Sequence, residues 1–308
     1  MQTLYDLAFQ MLVFYGLILL GYLITRSTER GEWLNQNLNS LLINVLVPVL
    51  VVYTLLTASP GSASELPTII FLAVLVQVLG PALMYLRLRR GDYDPPTKGV
   101  YYLCVTFNNA LFIPLPIALL FLGSQAVSVV IVFSLTQMLL FVTLGSLMGA
   151  AFSEHEASWN DVTRQALKFP PFLAAVVAIL LFSLSLTLPE IITTPVSYVG
   201  PITTYLALIS VGLNLGIRFT VVDVRSALNV VGIRQFLVPL LMLPIIMVSG
   251  LSSIPASIVL LEALMPPAVL TVVYAASFGL DAERAATIVT IGTLLLLPLL
   301  PLLPLFLG

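Results

Sequence analysis

Long apolar runs alternate along the chain with short polar breaks, and this alternation is the strongest pattern in the sequence. It predicts ten helical spans, near residues 5–25, 38–57, 67–86, 98–121, 126–151, 168–188, 198–217, 229–249, 255–278 and 285–307. The breaks are chemically plain: the charged stretch Arg26 to Glu32, the turn Ser59-Pro60-Gly61, the stretch Arg87 to Pro96, and Gly123-Ser124. At about 20 residues per crossing of a ~30 Å hydrocarbon core, ten spans take up ~200 residues and leave short loops, so no extramembrane domain is expected.

Composition agrees, since 59% of the 308 residues are hydrophobic and only 8% are charged, against roughly 25% charged in a soluble domain. A multi-pass integral membrane protein is the consequence, with the lipid bilayer as its solvent. The charges also carry topology. Breaks after the first, third, fifth, seventh and ninth spans hold Arg26 and Arg30; Arg87, Arg89, Arg90 and Lys98; Arg164 and Lys168; Arg218, Arg225 and Arg234; and Arg284, which together are all 12 basic residues. The positive-inside rule makes that side cytoplasmic and puts both termini on the non-cytoplasmic side of a plasma or inner membrane. No basic residue precedes the first apolar run, so no cleavable signal is expected. The basic residues form no cluster for phosphates, and no nucleic-acid partner is expected. One cysteine, Cys104, leaves no internal disulfide and no thiolate metal cage.

Ten spans divide into two sets of five, and an odd number inserts any second copy upside down, the parity of an inverted repeat. The predicted organisation is a first five-helix repeat over 1–151, a short cytoplasmic loop over 152–167 and a second, inverted repeat over 168–308, with a scaffold unit and a transport unit each drawn from both. Mid-span prolines mark matching positions: Pro114 and Pro116 in the fourth span, Pro266 and Pro267 in the ninth. Proline inside a helix costs about 3 kcal/mol or more, and paired breaks of this kind point to a transporter site where half-helices present dipoles and backbone amides at the midplane. Packing kinks are the alternative reading.

Glu262, four residues before Pro266, is the ionisable residue expected inside a span. A carboxylate there costs on the order of 2.5–3.5 kcal/mol, so it either binds a coupling proton or cation or reaches water at the outer end of its helix. Asn108 and Asn109 fall near mid-membrane in the fourth span, as site ligands or as interhelical hydrogen-bonding groups. With no cation expected inside, an anion would be held by amides, hydroxyls and helix N-termini. Asn44, Gln77, Gln137 and Asn214 read first as packing groups, Gly212 and Gly216 as a close helix contact, and His155 as a solvated loop residue between Glu154 and Glu156. No zinc-type His pair, intramembrane Asp pair or nucleophile elbow is present, so an enzyme is not expected and no cofactor is implied. Charged rings and a filter repeat are absent too, which favours a carrier over a channel.

The run Thr106-Phe107-Asn108-Asn109-Ala110-Leu111-Phe112-Ile113-Pro114-Leu115-Pro116, continuing to Phe121-Leu122-Gly123, resembles the fourth-helix signature of the auxin efflux carrier family, with Asn109, Pro116 and Gly123 on the family's positions. Leu261 to Ala268, Tyr274-Ala275, Gly279 to Asp281, Ala285 to Leu294 and Leu297-Pro298 are similar to its ninth and tenth helices; Asn44 to Pro48 and Ser210 to Gly216 are similar to its second and seventh. The likeness covers nearly the whole chain. It implies an all-α fold of ten helices in two inverted repeats with crossing helices four and nine. It also implies secondary transport of a small organic anion, auxin-like or a dicarboxylate such as malate or malonate, by elevator-type alternating access. By the same resemblance the substrate carboxylate would lie by Pro116 and Pro267 with Asn109 as an amide ligand, and a homodimer is expected by analogy alone. Pro114 stands where the family usually has Gly, and Glu262 where plant members commonly have Gln. Pro298, Pro301 and Pro304 exceed the family's single proline, and the short loop lacks the long insert of many plant carriers. The runner-up is a sodium- or proton-coupled symporter of bile-acid carrier type, with an anion channel more distant.

Overall fold

A computed structural model describes residues 4–57, 64–89, 91–153, 170–184, 190–217 and 221–302. Among these residues the chain is all helical, apart from one isolated bridge between Asn108 and Pro267. The helices are α1 (Leu4–Ser27), α2 (31–57), α3 (Leu66–Leu88), α4 (Pro95–Thr106), α5 (114–122), α6 (Ser124–Phe152), α7 (Pro170–Ser183), α8 (Glu190–Ser197), α9 (Val199–Gly216), α10 (Val224–Val248), α11 (Ser253–Leu264), α12 (Leu270–Ser277) and α13 (Ala282–Leu296), which tightens into a 3₁₀ turn over Leu297–Leu302. That turn accounts for Pro298 and Pro301: proline every third residue removes the donors an α-helix needs and suits the three-residue repeat. Pro304, the turn at Ser59-Pro60-Gly61, His155 with its flanking glutamates, and Arg90, Arg164, Lys168 and Arg218 lie outside the described residues.

Seven helical stretches among the described residues are long and apolar enough to cross a membrane: Phe9–Ser27, Gly31–Tyr53, Leu66–Leu88, Ser124–Phe152, Thr193–Gly216, Val224–Val248 and Ala282–Leu300. The three remaining predicted spans differ for visible reasons. The fourth and ninth are interrupted, as α4 with α5 and as α11 with α12. The described part of the sixth is α7, only 14 residues long. Two boundaries also move: α2 begins seven residues before the predicted span and α10 begins five residues before. In α2 the added turns hold Asn35, which donates to Asn214, and α10 starts early because Asp223 caps it through the Ser226 amide. Outward-facing side chains such as Phe71, Leu240 and Val248 are apolar and exposed, the distribution that a lipid solvent selects.

The chain forms two compact units. The first comprises residues 1–64, 111–131 and 167–218. Its closest packing is backbone against backbone. A Cβ on Gly212 of α9 would sit 2.0 Å from the carbonyl oxygen of Ile18 in α1, and one on Gly21 would sit 2.1 Å from that of Ile209. Only glycine permits this approach, and Thr25 Oγ1 donates across the seam to the Leu213 carbonyl at 3.1 Å. An amide ladder joins α2 to α9: Asn35 Nδ2 donates to Asn214 Oδ1 at 2.9 Å, Asn39 Nδ2 to Asn35 Oδ1 at 3.0 Å, and Ser210 Oγ to Asn39 Oδ1 at 2.6 Å. Asn214 is thus a packing group, as read.

The second unit comprises residues 65–110, 132–166 and 219–308. Three of its helices open on aspartate caps, which accept from the first-turn amides: Asp94 from Thr97 at 3.1 Å, Asp223 from Ser226 at 3.1 Å and Asp281 from Arg284 at 2.9 Å. Arg284 ties them together, pairing with Asp223 at 2.7 Å and Asp281 at 2.8 Å and donating to the Tyr101 hydroxyl at 3.1 Å. Asp223 takes a left-handed backbone, φ 46°, which Asp tolerates better than most residues.

Gly212→Val is expected to drive a branched Cβ into the Ile18 carbonyl and to destabilise the protein by about 3 kcal/mol or more, whereas Gly16→Ala, with nothing near its Cβ, is expected to be neutral or mildly stabilising; melting of the two detergent-solubilised variants checks the contrast. Hydrogen bonds from Ser226 and the charge of Arg284 hold the Asp223 carboxyl below its ordinary range. A lowered folded-state pKa stabilises above the unfolded value, about 3.9, and the contribution is lost as pH falls through the lowered value. Asp223→Asn, which keeps a capping oxygen, should therefore lower the melting temperature slightly at pH 7, and that deficit should shrink progressively as the pH is lowered below about 3.9; a deficit that does not shrink in acid would refute the ion-pair assignment.

Candidate functional site

The second unit contains an unwound crossing inside its helical core. Helix α4 stops at Thr106, and Phe107 turns to extended backbone at φ −104°, ψ 121°. Helix α11 stops at Leu264, and Met265 turns to φ −67°, ψ 145°. Local chemistry explains the second stop, because a residue followed by proline is pushed out of the helical region and Pro266-Pro267 offers no amide to continue the ladder. It does not explain the first, since α4 ends well before Pro114, which instead opens α5 at the first helical position where proline is tolerated.

What stops α4 is pairing. The extended segments run antiparallel around Asn108 and Pro267. The Asn109 amide donates to the Pro266 carbonyl at 2.8 Å, and the Ala268 amide donates to the Phe107 carbonyl at 2.9 Å. These bonds flank the bridged residues, so the register asks no donor of Pro267. Each break thereby supplies hydrogen bonds that the other needs. Gly292 of α13 backs the crossing: a Cβ there would meet Gln235 Oε1 and Pro267 Cδ at 2.9 Å. Phe107, Phe141 and Tyr274 wall it with ring centroids 4.2 Å and 4.5 Å apart.

A polar network surrounds the crossing. Asn108, Gln77, Glu262 and Arg234 are each 0% exposed. Asn108 Nδ2 donates to Glu262 Oε2 at 2.9 Å, Gln77 Nε2 donates to Asn108 Oδ1 at 3.0 Å and to Gln137 Oε1 at 2.7 Å, and Gln137 Nε2 donates to the Asn108 carbonyl at 2.6 Å. The Ser134 hydroxyl donates to the carbonyl of Ala110. On the other side, a π turn over Ile233–Leu237 in α10 presents two consecutive side chains to the C-terminal end of α11. Arg234 Nη2 donates to the Glu262 carbonyl and Gln235 Nε2 to the Leu264 carbonyl, both at 3.4 Å. The Glu262 carbonyl also accepts from the Met265 amide at 3.2 Å, and the partial negative charge of a helix C-terminus is what a guanidinium offsets. Five buried atoms remain unpartnered: Glu262 Oε1, Gln77 Oε1, Gln235 Oε1, and Nε and Nη1 of Arg234. Together they offer both donors and acceptors to a small polar solute.

The expected site residues distribute unequally. Asn108, Asn109, Glu262, Pro266 and Pro267 converge on the crossing, with the Asn108 side chain and the Asn109 backbone amide both engaged. Pro114 and Pro116 are buried at the start of α5, in the first unit. Two expectations change. Glu262 does not reach water at a helix end, because its carboxyl is enclosed beside Asn108. The interior also holds a cation after all: Arg234, counted with the basic residues of the preceding break although it falls within the predicted span 229–249, is fully buried inside α10. Gln77 and Gln137 move from packing groups to the crossing itself. No cluster of three or more His, Cys, Asp or Glu side chains that could hold a metal occurs among the described residues.

Comparison with known proteins agrees with this architecture. Residues 7–304 match the family described as membrane transport protein. An uncharacterized transporter of Methanothermobacter thermautotrophicus is 29% identical over 273 residues, 89% of each chain. An uncharacterized transporter of Methanocaldococcus jannaschii is 23% identical over 286 residues, covering 89% of this chain and 90% of its own length. A match that leaves out only a few residues at each end, on an all-helical chain rich in membrane-length helices, places the protein in the membrane transport protein family of auxin efflux carrier type.

Proposed function

We propose that this protein is a secondary active transporter for a small organic carboxylate, working by elevator-type alternating access with the crossing as its binding site. The observation that carries the reading is the pair of unwound segments that exchange backbone hydrogen bonds around Asn108 and Pro267, walled by buried polar side chains. Non-helical backbone at membrane depth is tolerated where it is enclosed by protein or lines a cavity, and interrupted helices of this kind are where secondary transporters bind solute. Seven long apolar helices together with α4–α5, α7 and α11–α12 supply ten segments, which supports the ten-span inverted repeat with both termini on the non-cytoplasmic side. The two interleaved units, each built from both halves of the chain, fit a scaffold and a transport unit.

In this reading Asn108, Asn109, Pro266 and Pro267 form the cradle, with Asn109 giving an amide to the substrate. Glu262 Oε1, unpartnered beside Asn108, takes the coupling proton or sodium ion. Purified protein in proteoliposomes, assayed for counterflow against a panel of mono- and dicarboxylates, tests the proposal: labelled acid should exchange for unlabelled acid, and uptake restricted to cations or neutral solutes would refute it.

Asn109→Ala should abolish transport with an unchanged melting temperature; a destabilised, poorly expressed variant would instead assign Asn109 to packing. Glu262→Gln should remove the dependence of uptake on pH or sodium that wild type shows, and indifference to both in wild type and variant alike would end the coupling assignment.

A further inference from the structure

Arg234 carries a permanent charge into the middle of α10, ten residues beyond the helix start, and the fold only half provides for it. Its Nη2 reaches the Glu262 carbonyl at 3.4 Å, while Nε and Nη1 have no partner. The ion pairs among the described residues are those of Arg284 alone, so no carboxylate lies within 4.0 Å of the Arg234 guanidinium. Arginine cannot shed its proton to escape the cost. Burying a charge is costly, and each buried donor left without a partner adds to that cost.

A purely structural arginine would close on the nearest carboxylate. Here that carboxylate belongs to Glu262, and the fold turns it elsewhere: Oε2 accepts from Asn108, and Oε1 is left unpartnered. The guanidinium meanwhile caps the main chain of the same residue. A permanent cation and an ionisable carboxyl are thus held in one enclosed network, each with unused hydrogen-bonding capacity. The π turn that aims Arg234 and Gln235 at the crossing is a helix distortion that occurs frequently at functional sites.

We propose that Arg234 is the anion receptor of the transport site and takes the single carboxylate of the transported acid on its unpartnered N–H groups. This rests on the transporter reading above and narrows it. The capping bond to Glu262 holds the guanidinium in place before the acid arrives, and the unused N–H groups then gain a charged acceptor instead of remaining bare. One cation serves one carboxylate, and a second ionised carboxylate would face Glu262, so monocarboxylates are preferred over dicarboxylates. A neutral amide of the same shape brings no charge to Arg234 and is rejected.

The test is competition by indole-3-acetate, indole-3-acetamide, malonate and malonamide against labelled acid, in proteoliposomes of wild type, Arg234→Lys, Arg234→Gln and the charge-neutral double variant Arg234→Gln/Glu262→Gln. Wild type should favour each acid over its amide and the monoacid over the diacid. Arg234→Gln should weaken acid binding about a hundredfold, the loss expected for a hydrogen bond to a charged group, and should no longer separate acid from amide. Arg234→Lys should keep that preference at reduced affinity. Should Arg234→Gln not fold, the double variant, which leaves no bare charge behind, carries the same expectation. A folded Arg234→Gln or double variant that still prefers acid over amide as wild type does overturns the receptor assignment and leaves the transporter reading intact. If wild type itself takes no carboxylate, the carboxylate-carrier reading falls, and this assignment with it.

Discussion

Backbone amides and carbonyls in a hydrocarbon solvent have no water to fall back on, and each one left unpaired costs several kcal/mol. A helix satisfies them by itself; an interrupted helix does not. The crossing in the second unit answers this by making two interruptions serve each other through the bonds from Asn109 to Pro266 and from Ala268 to Phe107. Most of the surrounding detail follows. Asn108 can sit opposite Pro267 because that register asks no donor of the proline, Gln137 covers the Asn108 carbonyl, and Gly292 must lack a side chain so that α13 can lie against the proline rings.

Charge obeys the same accounting with larger numbers. Arg284 sits among helix caps with two carboxylates and a phenol within hydrogen-bonding distance, partly exposed to solvent, and it is fully provided for. Arg234 and Glu262, a cation and an ionisable carboxyl, are enclosed and are each only partly satisfied. A protein that needed only stability at this point would do better with apolar side chains of similar size. Retaining both groups with unused hydrogen bonds is sensible where a charged solute comes and goes, because a fully satisfied network would have nothing left to offer it.

The spans and their breaks were readable because hydropathy acts locally: apolar side chains of sufficient run length must enter lipid wherever they occur in the chain. The break at Pro266-Pro267 was readable for a similar reason, since consecutive prolines remove the amides a helix needs and push the preceding residue out of it; Pro114 marked the fourth span as interrupted but not where, because it opens α5 at the first helical position. The close contact at Gly212 and Gly216 was readable from a spacing that places both on one helix face. Arg234 was misread because its charge was counted with the preceding break although hydropathy put position 234 inside the span 229–249, and Gln77 and Gln137 were undervalued because a lone amide in an apolar run gives no sign of what it will face.

What the sequence by itself determined, then, is an all-helical membrane protein with two interrupted segments and a carboxylate next to one of them. Tertiary structure alone decided that α4 ends at Thr106 instead of running on to Pro114, that Asn108 lies between Gln77 and Glu262, and that Arg234 points inward from a π turn. The physical reason is the same in each case. Partition into lipid and loss of an amide donor are properties of a residue and its neighbours, whereas the pairing of a buried polar group depends on which distant segment arrives opposite it, and that is settled only when the helices pack.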